Sequence, residues 1–112
     1  IELRECDPHI LNDLPYLRNT LIQAAEEVGA TVVGETFHQF SPHGVTGVVS
    51  IAESHLCIHT WPEYGYAAAD IFTCGSSDMP KRAADLLIQR LESKDSEIQQ
   101  LERGFTVPAV VR

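Results

Sequence analysis

The sequence predicts an α+β fold: a two-layer sandwich of one mainly antiparallel sheet with two helices packed on one face. Two segments carry apolar residues at every third or fourth position, which is typical of a helix with one buried side. Several short segments rich in β-branched and aromatic residues are separated by turns that contain Gly and Pro. Because the order is strand, helix, several strands, helix and short strand, we expect a single domain over residues 1–112.

The first half of the chain contains one helix and three strands. The predicted segments are residues 1–5 (strand), 14–28 (helix), 31–40 (strand) and 45–52 (strand). Gly29 follows the apolar stripe of the helix, where a glycine commonly ends a helix. Since the chain begins directly in a strand, we expect a few further residues to precede Ile1.

The second half is predicted to hold a hairpin, a helix and an edge strand. The segments are residues 55–60 and 67–74 (strands), a helix that begins at 78–80, and an edge strand at 98–103, with a loose tail after Gly104. Pro62 and Gly65 indicate a turn between the two strands of the hairpin. A turn centred near Gly65 pairs His59 with about Thr73, which would place the Cys74 thiol beside the His59 imidazole.

Composition argues against several classes of function. The chain has 16 acidic and 8 basic residues and a formal net charge of −8, so it lacks the basic surface that nucleic-acid binding requires. It has no apolar run near the ~20 residues that a membrane span needs. Its three cysteines are odd in number and widely spaced, which favours reduced thiols and a cytoplasmic protein over a disulfide framework.

Reactive residue types are concentrated in residues 53–75. His55 and His59 stand four apart, which on a helix would allow them to share a metal ion. On a strand that spacing spans roughly 13 Å, so we expect no metal site here. Ser54 and His59 have the types needed to activate a hydroxyl, yet on a continuous strand they face opposite sides of a sheet. Their cooperation requires a break in the strand near Glu53 and Ser54.

A highly specific motif runs through the same segment. Residues 53–65 read E-S-H-L-C-I-H-T-W-P-E-Y-G, and F-T-C-G follows at 72–75. Upstream, F-H-x-F at 37–40 and G-V-T-G-V-V at 44–49 extend the pattern, with E-C-D at 5–7 as a weak addition. Together these motifs resemble the prokaryotic S-adenosylmethionine decarboxylase proenzymes. The resemblance covers most of the chain, except for the nondescript C-terminal quarter.

The resemblance implies that the chain cleaves itself between Glu53 and Ser54. The Ser54 hydroxyl would attack the Glu53 carbonyl to form an ester, and His59 would accept the Ser54 α-proton. β-Elimination would then release a β chain of residues 1–53 and an α chain that begins at residue 54. The dehydroalanine left at residue 54 hydrolyses to a pyruvoyl group and ammonia. Thr46, where relatives carry serine, would assist the acyl shift through its retained hydroxyl.

The resemblance also implies the substrate and further roles. The pyruvoyl cofactor forms a Schiff base with the amine of S-adenosylmethionine and takes up the electrons left by decarboxylation. Cys74 would return a proton to the product carbon, and Glu63 would hold the ribose hydroxyls. Phe40 and Trp61 would stack on the adenine or face the sulfonium. The product is the aminopropyl donor for spermidine synthesis. Cys57, where threonine is common, has no implied role.

Three alternatives remain open. Relatives on the same scaffold decarboxylate arginine or ornithine and would share Ser54, His59 and Cys74. An unprocessed homologue would serve as a binding subunit, although the intact reactive residues argue against this. A metal hydrolase built on His55 and His59 is the third alternative. Because two helices leave one sheet face uncovered, and because of the resemblance, we expect a homodimer of αβ units.

Overall fold

A single antiparallel sheet with helices on one side forms the described part of the chain. The structure, a computed structural model, describes residues 1–73 and 78–103. Its elements are β1 (Glu2–Arg4), α1 (Pro8–Leu11), α2 (Leu14–Glu27), β2 (Thr31–Gln39), β3 (Val45–Ala52), β4 (Ser54–Trp61), a 3-10 turn (Pro62–Tyr64), β5 (Tyr66–Phe72), α3 (Asp78–Arg90) and β6 (Asp95–Glu97). Among the described residues, no helix is long and apolar enough to cross a membrane.

The six strands lie in the order β2-β3-β4-β5-β1-β6, and each neighbouring pair is antiparallel. Strands β2 to β5 form a meander with short turns, as the sequence predicts. β1 then adds beside β5, and β6 adds beside β1. The predicted α+β class is therefore confirmed, with a short extra helix and a 3-10 turn that the sequence pattern did not indicate.

The hydrophobic core lies between one face of the sheet and the two long helices. Burial alternates along β3 and β4, so every second side chain faces the helices. The buried residues at the centre are Leu17, Leu21, Ala24 and Ala25 of α2, Ala83 and Leu87 of α3, and Val49, Leu56, Ile58 and Ala67 of the sheet. The Tyr16 hydroxyl of α2 donates to the Arg90 carbonyl at the end of α3, 2.9 Å away, which joins the helices to each other. The opposite face of the sheet has no helix on it in the described residues.

The predicted edge strand at residues 98–103 is wrong. The edge strand is β6, at Asp95–Glu97, and it pairs with all three residues of β1. Arg4 of β1 contacts both ends of β6, since its guanidinium lies 3.5 Å from the Asp95 carboxylate and 3.0 Å from the Glu97 carboxylate. In this antiparallel pairing Glu2 lies opposite Glu97, Leu3 opposite Ser96 and Arg4 opposite Asp95.

The predicted register of the β4–β5 hairpin is also wrong. His59 pairs with Ala68 rather than with Thr73, and Trp61 pairs directly with Tyr66. The reason is the 3-10 turn, which reverses the chain in four residues and ends at Gly65, whose φ is +60°. The turn is therefore centred between Glu63 and Tyr64 rather than near Gly65. The Cys74 part of that prediction lies outside the described residues.

Candidate active site

The face of the sheet away from the helices, called the open face below, carries most of the reactive side chains. Cross-strand pairing and alternation place nine such residues on it: His38, Thr46, His55, Cys57, His59, Trp61, Tyr66, Asp70 and Phe72. Most of these side chains are half-buried, and a few are exposed. The open face therefore combines imidazoles, aromatic rings, a thiol and a carboxylate with no helix above them in the described residues.

Thr46 and His59 meet on the open face. They are direct cross-strand partners in β3 and β4, and Thr46 Oγ1 lies 3.0 Å from His59 Nδ1. A hydrogen bond at one ring nitrogen fixes the orientation of an imidazole and leaves its other nitrogen for chemistry. The structure thus brings together two of the residues predicted to act in self-cleavage.

Ser54 lies at the other end of β4, immediately after the chain reverses at Glu53. The break predicted near Glu53 and Ser54 is therefore present as a two-residue turn, Ala52 and Glu53, between the paired residues Ile51 and Ser54. The Ser54 hydroxyl contacts the carbonyl oxygen of Glu53. The two residues line a cavity of about 180 Å³ together with Gly29, Ala30, Ile51, Ala52, Thr73 and Met79.

Ser54 and His59 are not neighbours within one chain. They are five positions apart on β4, which is about 16 Å at the usual rise per residue. Because the separation is odd, the two side chains also belong to opposite faces of the sheet. A general base must come within about 3 Å of the proton that it removes, directly or through one water. His59 of the same chain does not meet this requirement in the structure.

Two predicted substrate-binding aromatics expose their rings. Trp61 is 40% exposed and stacks on Tyr66, with ring centroids 5.3 Å apart, and its ring lies 6.5 Å from that of His59. Phe40 is 47% exposed and packs edge-on against His38, at 4.5 Å. Exposed aromatic faces of this kind can stack on a purine or attract a cation.

Glu63 lies in the 3-10 turn, at the end of the sheet that holds His59 and Trp61 and opposite to the end that holds Ser54. Glu63 Oε1 is 3.1 Å from Nε2 of His43, a residue of the turn between β2 and β3. The predicted site residues therefore form two groups, one around Ser54 and one around His59. The group around His59 includes Glu63.

Several contacts on the open face escaped the sequence analysis because they depend on strand register. Cys57 Sγ lies 3.7 Å from Oδ2 of its cross-strand partner Asp70. Burial raises the pKa of the Cys57 thiol, and the Asp70 carboxylate raises it further. Tyr66 hydrogen-bonds to the Glu2 carboxylate, which raises the pKa of the Tyr66 hydroxyl. Only knowledge of the pairing would have indicated these partners.

His55, which follows Ser54 but lies on the open face, is a cross-strand partner of Phe72. His55 stacks on Phe72, with centroids 5.8 Å apart, and Arg103 lies 5.2 Å above the same Phe72 ring. His55 and His59 occupy one strand four residues apart, as predicted. Within residues 1–73 and 78–103, no three His, Cys, Asp or Glu side chains come together in a way that could hold a metal ion.

The fold of this chain is similar to that of a solved decarboxylase. The crystal structure of the adenosylmethionine decarboxylase from Aquifex aeolicus superposes with a TM-score of 0.89 at 38% sequence identity, covering 95% of this chain and 88% of that one. The two proteins therefore share their overall fold.

Sequence comparison gives the family. The chain matches the S-adenosylmethionine decarboxylase family over residues 1–104. It is 51% identical to the S-adenosylmethionine decarboxylase proenzyme of Thermodesulfovibrio yellowstonii over 105 residues, which are 94% of this chain and 78% of that relative. The proenzyme of Thermotoga maritima is 50% identical over 103 residues, 92% of this chain and 79% of the relative. The chain belongs to the S-adenosylmethionine decarboxylase family, as its motifs predicted.

Proposed function

We propose that this chain is a self-processing, pyruvoyl-dependent decarboxylase that converts S-adenosylmethionine to decarboxylated S-adenosylmethionine and CO2, the former being the aminopropyl donor for spermidine synthesis. One observation carries the proposal. Ser54 follows the turn at Glu53 with its hydroxyl against the Glu53 carbonyl, in a chain of a family whose members are named proenzymes.

Self-cleavage begins at this contact. The Ser54 oxygen bonds to the Glu53 carbonyl carbon, the C–N bond between the residues breaks, and the hydroxyl proton passes to the freed amine. A base then removes the Ser54 α-proton, and the Glu53 carboxylate leaves from the Ser54 β-carbon. Hydrolysis of the remaining dehydroalanine releases ammonia and leaves a ketone. The products are a β chain of residues 1–53 and an α chain of residues 54–112.

His59 is the proposed base, and Thr46 holds its imidazole. Because His59 lies about 16 Å from Ser54 in its own chain, we propose that a second copy supplies the Thr46–His59 pair in a homodimer. One observation supports the dimer. The open face, which carries Thr46 and His59, has no helix above it in the described residues.

The substrate is proposed to lie between the two groups of residues. A pyruvoyl group at position 54 supplies the electron sink that ordinary side chains lack. Glu63 accepts hydrogen bonds from the ribose hydroxyls, and the exposed rings of Phe40 and Trp61 stack on the adenine or face the sulfonium. Cys74 is the proposed proton donor to the product carbon. It follows Thr73, which lines the Ser54 cavity.

Two measurements on the purified protein test this function. Intact mass on a denatured sample should show two chains that divide between Glu53 and Ser54. Release of labelled CO2 should be seen from S-adenosylmethionine and not from arginine or ornithine. Release from arginine or ornithine alone would overturn the substrate, and a fully active, uncut chain would overturn the cofactor.

Variants separate the steps. Ser54→Ala should abolish cleavage and activity together, whereas Ser50→Ala, on the neighbouring strand β3, should retain both. His59→Ala should stall at the ester, which hydroxylamine cuts. Cys74→Ala should be cleaved and turn over poorly. Full activity of Cys74→Ala would show that another group is the proton donor.

A further inference from the structure

An imidazole is held against the Glu63 carboxylate by two turns that meet at one end of the sheet. His43 belongs to the turn between β2 and β3, and Glu63 belongs to the 3-10 turn between β4 and β5. His43 Nε2 lies 3.1 Å from Glu63 Oε1, and the two side chains are 36% and 40% exposed. Among the described residues, His43 is the basic side chain that lies against Glu63.

The backbone that carries His43 is fixed on both sides. Asn12 Oδ1 accepts hydrogen bonds from the Gly44 N–H and from Gln39 Nε2, each at 2.9 Å. The Phe40 N–H donates to the Gly44 carbonyl at 2.8 Å, which closes the turn. The turn that places His43 next to Glu63 is therefore hydrogen-bonded to Asn12, the residue that follows α1.

The two turns also pack closely against each other. Gly44 has a φ of +108°, and a Cβ at this position would lie 3.2 Å from the Thr60 carbonyl oxygen. The buried Thr60 hydroxyl accepts from the Val45 N–H at 2.9 Å and donates to the Leu11 carbonyl at 2.7 Å. These contacts set the distance between the start of β3 and the end of β4, and hence that between His43 and Glu63.

We propose that His43 is a positioning residue for Glu63 in substrate binding, an inference that rests on the proposed function. A contact this exposed contributes little to the free energy of unfolding, so its main effect is on the conformation of the carboxylate. One N–H of the imidazole occupies Oε1 and stops the rotation of the carboxylate. The remaining acceptor positions face the vicinal hydroxyls of a ribose. His43 acts through Glu63 and does not touch the reacting atoms.

The test is a comparison of His43→Ala with His43→Gln in the processed enzyme. Loss of the hydrogen bond in His43→Ala should raise KM for S-adenosylmethionine about tenfold with kcat unchanged. The amide N–H of Gln is a donor of similar reach and should restore most of the lost affinity. Asp85→Asn, which breaks the exposed Lys81–Asp85 ion pair on α3, is the matched control and should leave KM unchanged.

A double-mutant cycle shows whether His43 acts through Glu63. In a Glu63→Gln background, His43→Ala should add little to the loss of affinity. If the wild-type enzyme is active and His43→Ala has an unchanged KM, the role of His43 is overturned while the proposed function stands. An inactive wild-type chain would overturn the proposed function instead. In that case, equal Kd values of wild type and His43→Ala for methylthioadenosine would still overturn the role of His43.

Discussion

Co-expression of Ser54→Ala with His59→Ala should restore a cleavage that neither variant shows alone. The prediction follows from the position of the two residues, five apart on one strand and on opposite faces of the sheet. At about 3.3 Å per residue they are about 16 Å apart, whereas proton transfer needs about 3 Å. If the base comes from the second copy, each site of a dimer combines Ser54 of one chain with His59 of the other.

The extent of restoration follows from symmetry. A mixed dimer has one site with both residues intact and one site with neither, because a two-fold axis relates the copies. Random pairing makes about half of the dimers mixed, so about a quarter of all chains should be cleaved. The cleaved chains should all be His59→Ala chains, since only these retain Ser54.

Two affinity tags make the assay decisive. Dimers that carry both tags are purified, and intact mass identifies which chain is cut. Each variant expressed alone provides the uncut control. Doubly tagged dimers in which the His59→Ala chain stays whole would refute the assignment of His59 to the second copy. Failure to recover any doubly tagged dimer would refute the dimer itself.

Two further predictions concern the sheet. Gly47→Ala should lower the free energy of unfolding by about 1–3 kcal/mol in urea titrations. The reason is that the new Cβ would lie 2.9 Å from Phe37 Cζ and closer to two other carbons of that ring. An equal loss of stability in a Phe37→Ala background would contradict this cause. Asp70→Asn should speed the alkylation of Cys57 at pH 8, as measured by peptide mass mapping. Besides burial, the Asp70 carboxylate raises the pKa of this thiol, so removal of the carboxylate charge increases the thiolate fraction. An unchanged rate would show that Asp70 has no influence on the thiol.

Much of the fold could be predicted because its signals are local. The 3.6-residue periodicity of α2 and the Gly29 that follows it identify a helix without knowledge of the rest of the chain. The β-branched residues of β3 identify it as a strand. The predicted edge strand at residues 98–103 was wrong because an edge strand is placed by its partner, and β1 is about 90 residues away in the sequence. Local periodicity carries no information on such a partner.

The candidate site was predictable as a set of residues and not as an arrangement. The motif from residue 53 to residue 65 names Ser54, His59 and Glu63 by their order along the chain. The motif does not indicate the 3-10 turn that sets the β4–β5 register. With the turn centred in the wrong place, the predicted cross-strand partner of His59 was Thr73, whereas the structure pairs His59 with Ala68. The His43–Glu63 pair joins two turns that are distant in sequence, so no spacing could indicate it.

The sequence by itself therefore determined the two layers, the two long helices, most strands and the family, and it named the candidate reactive side chains. Each of these follows from periodicity or from a contiguous motif. Only the tertiary structure decided which side chains meet: Thr46 with His59, Cys57 with Asp70, and His43 with Glu63. The physical reason is that pairing in a sheet depends on turn geometry, and a shift of one residue moves a side chain to the other face.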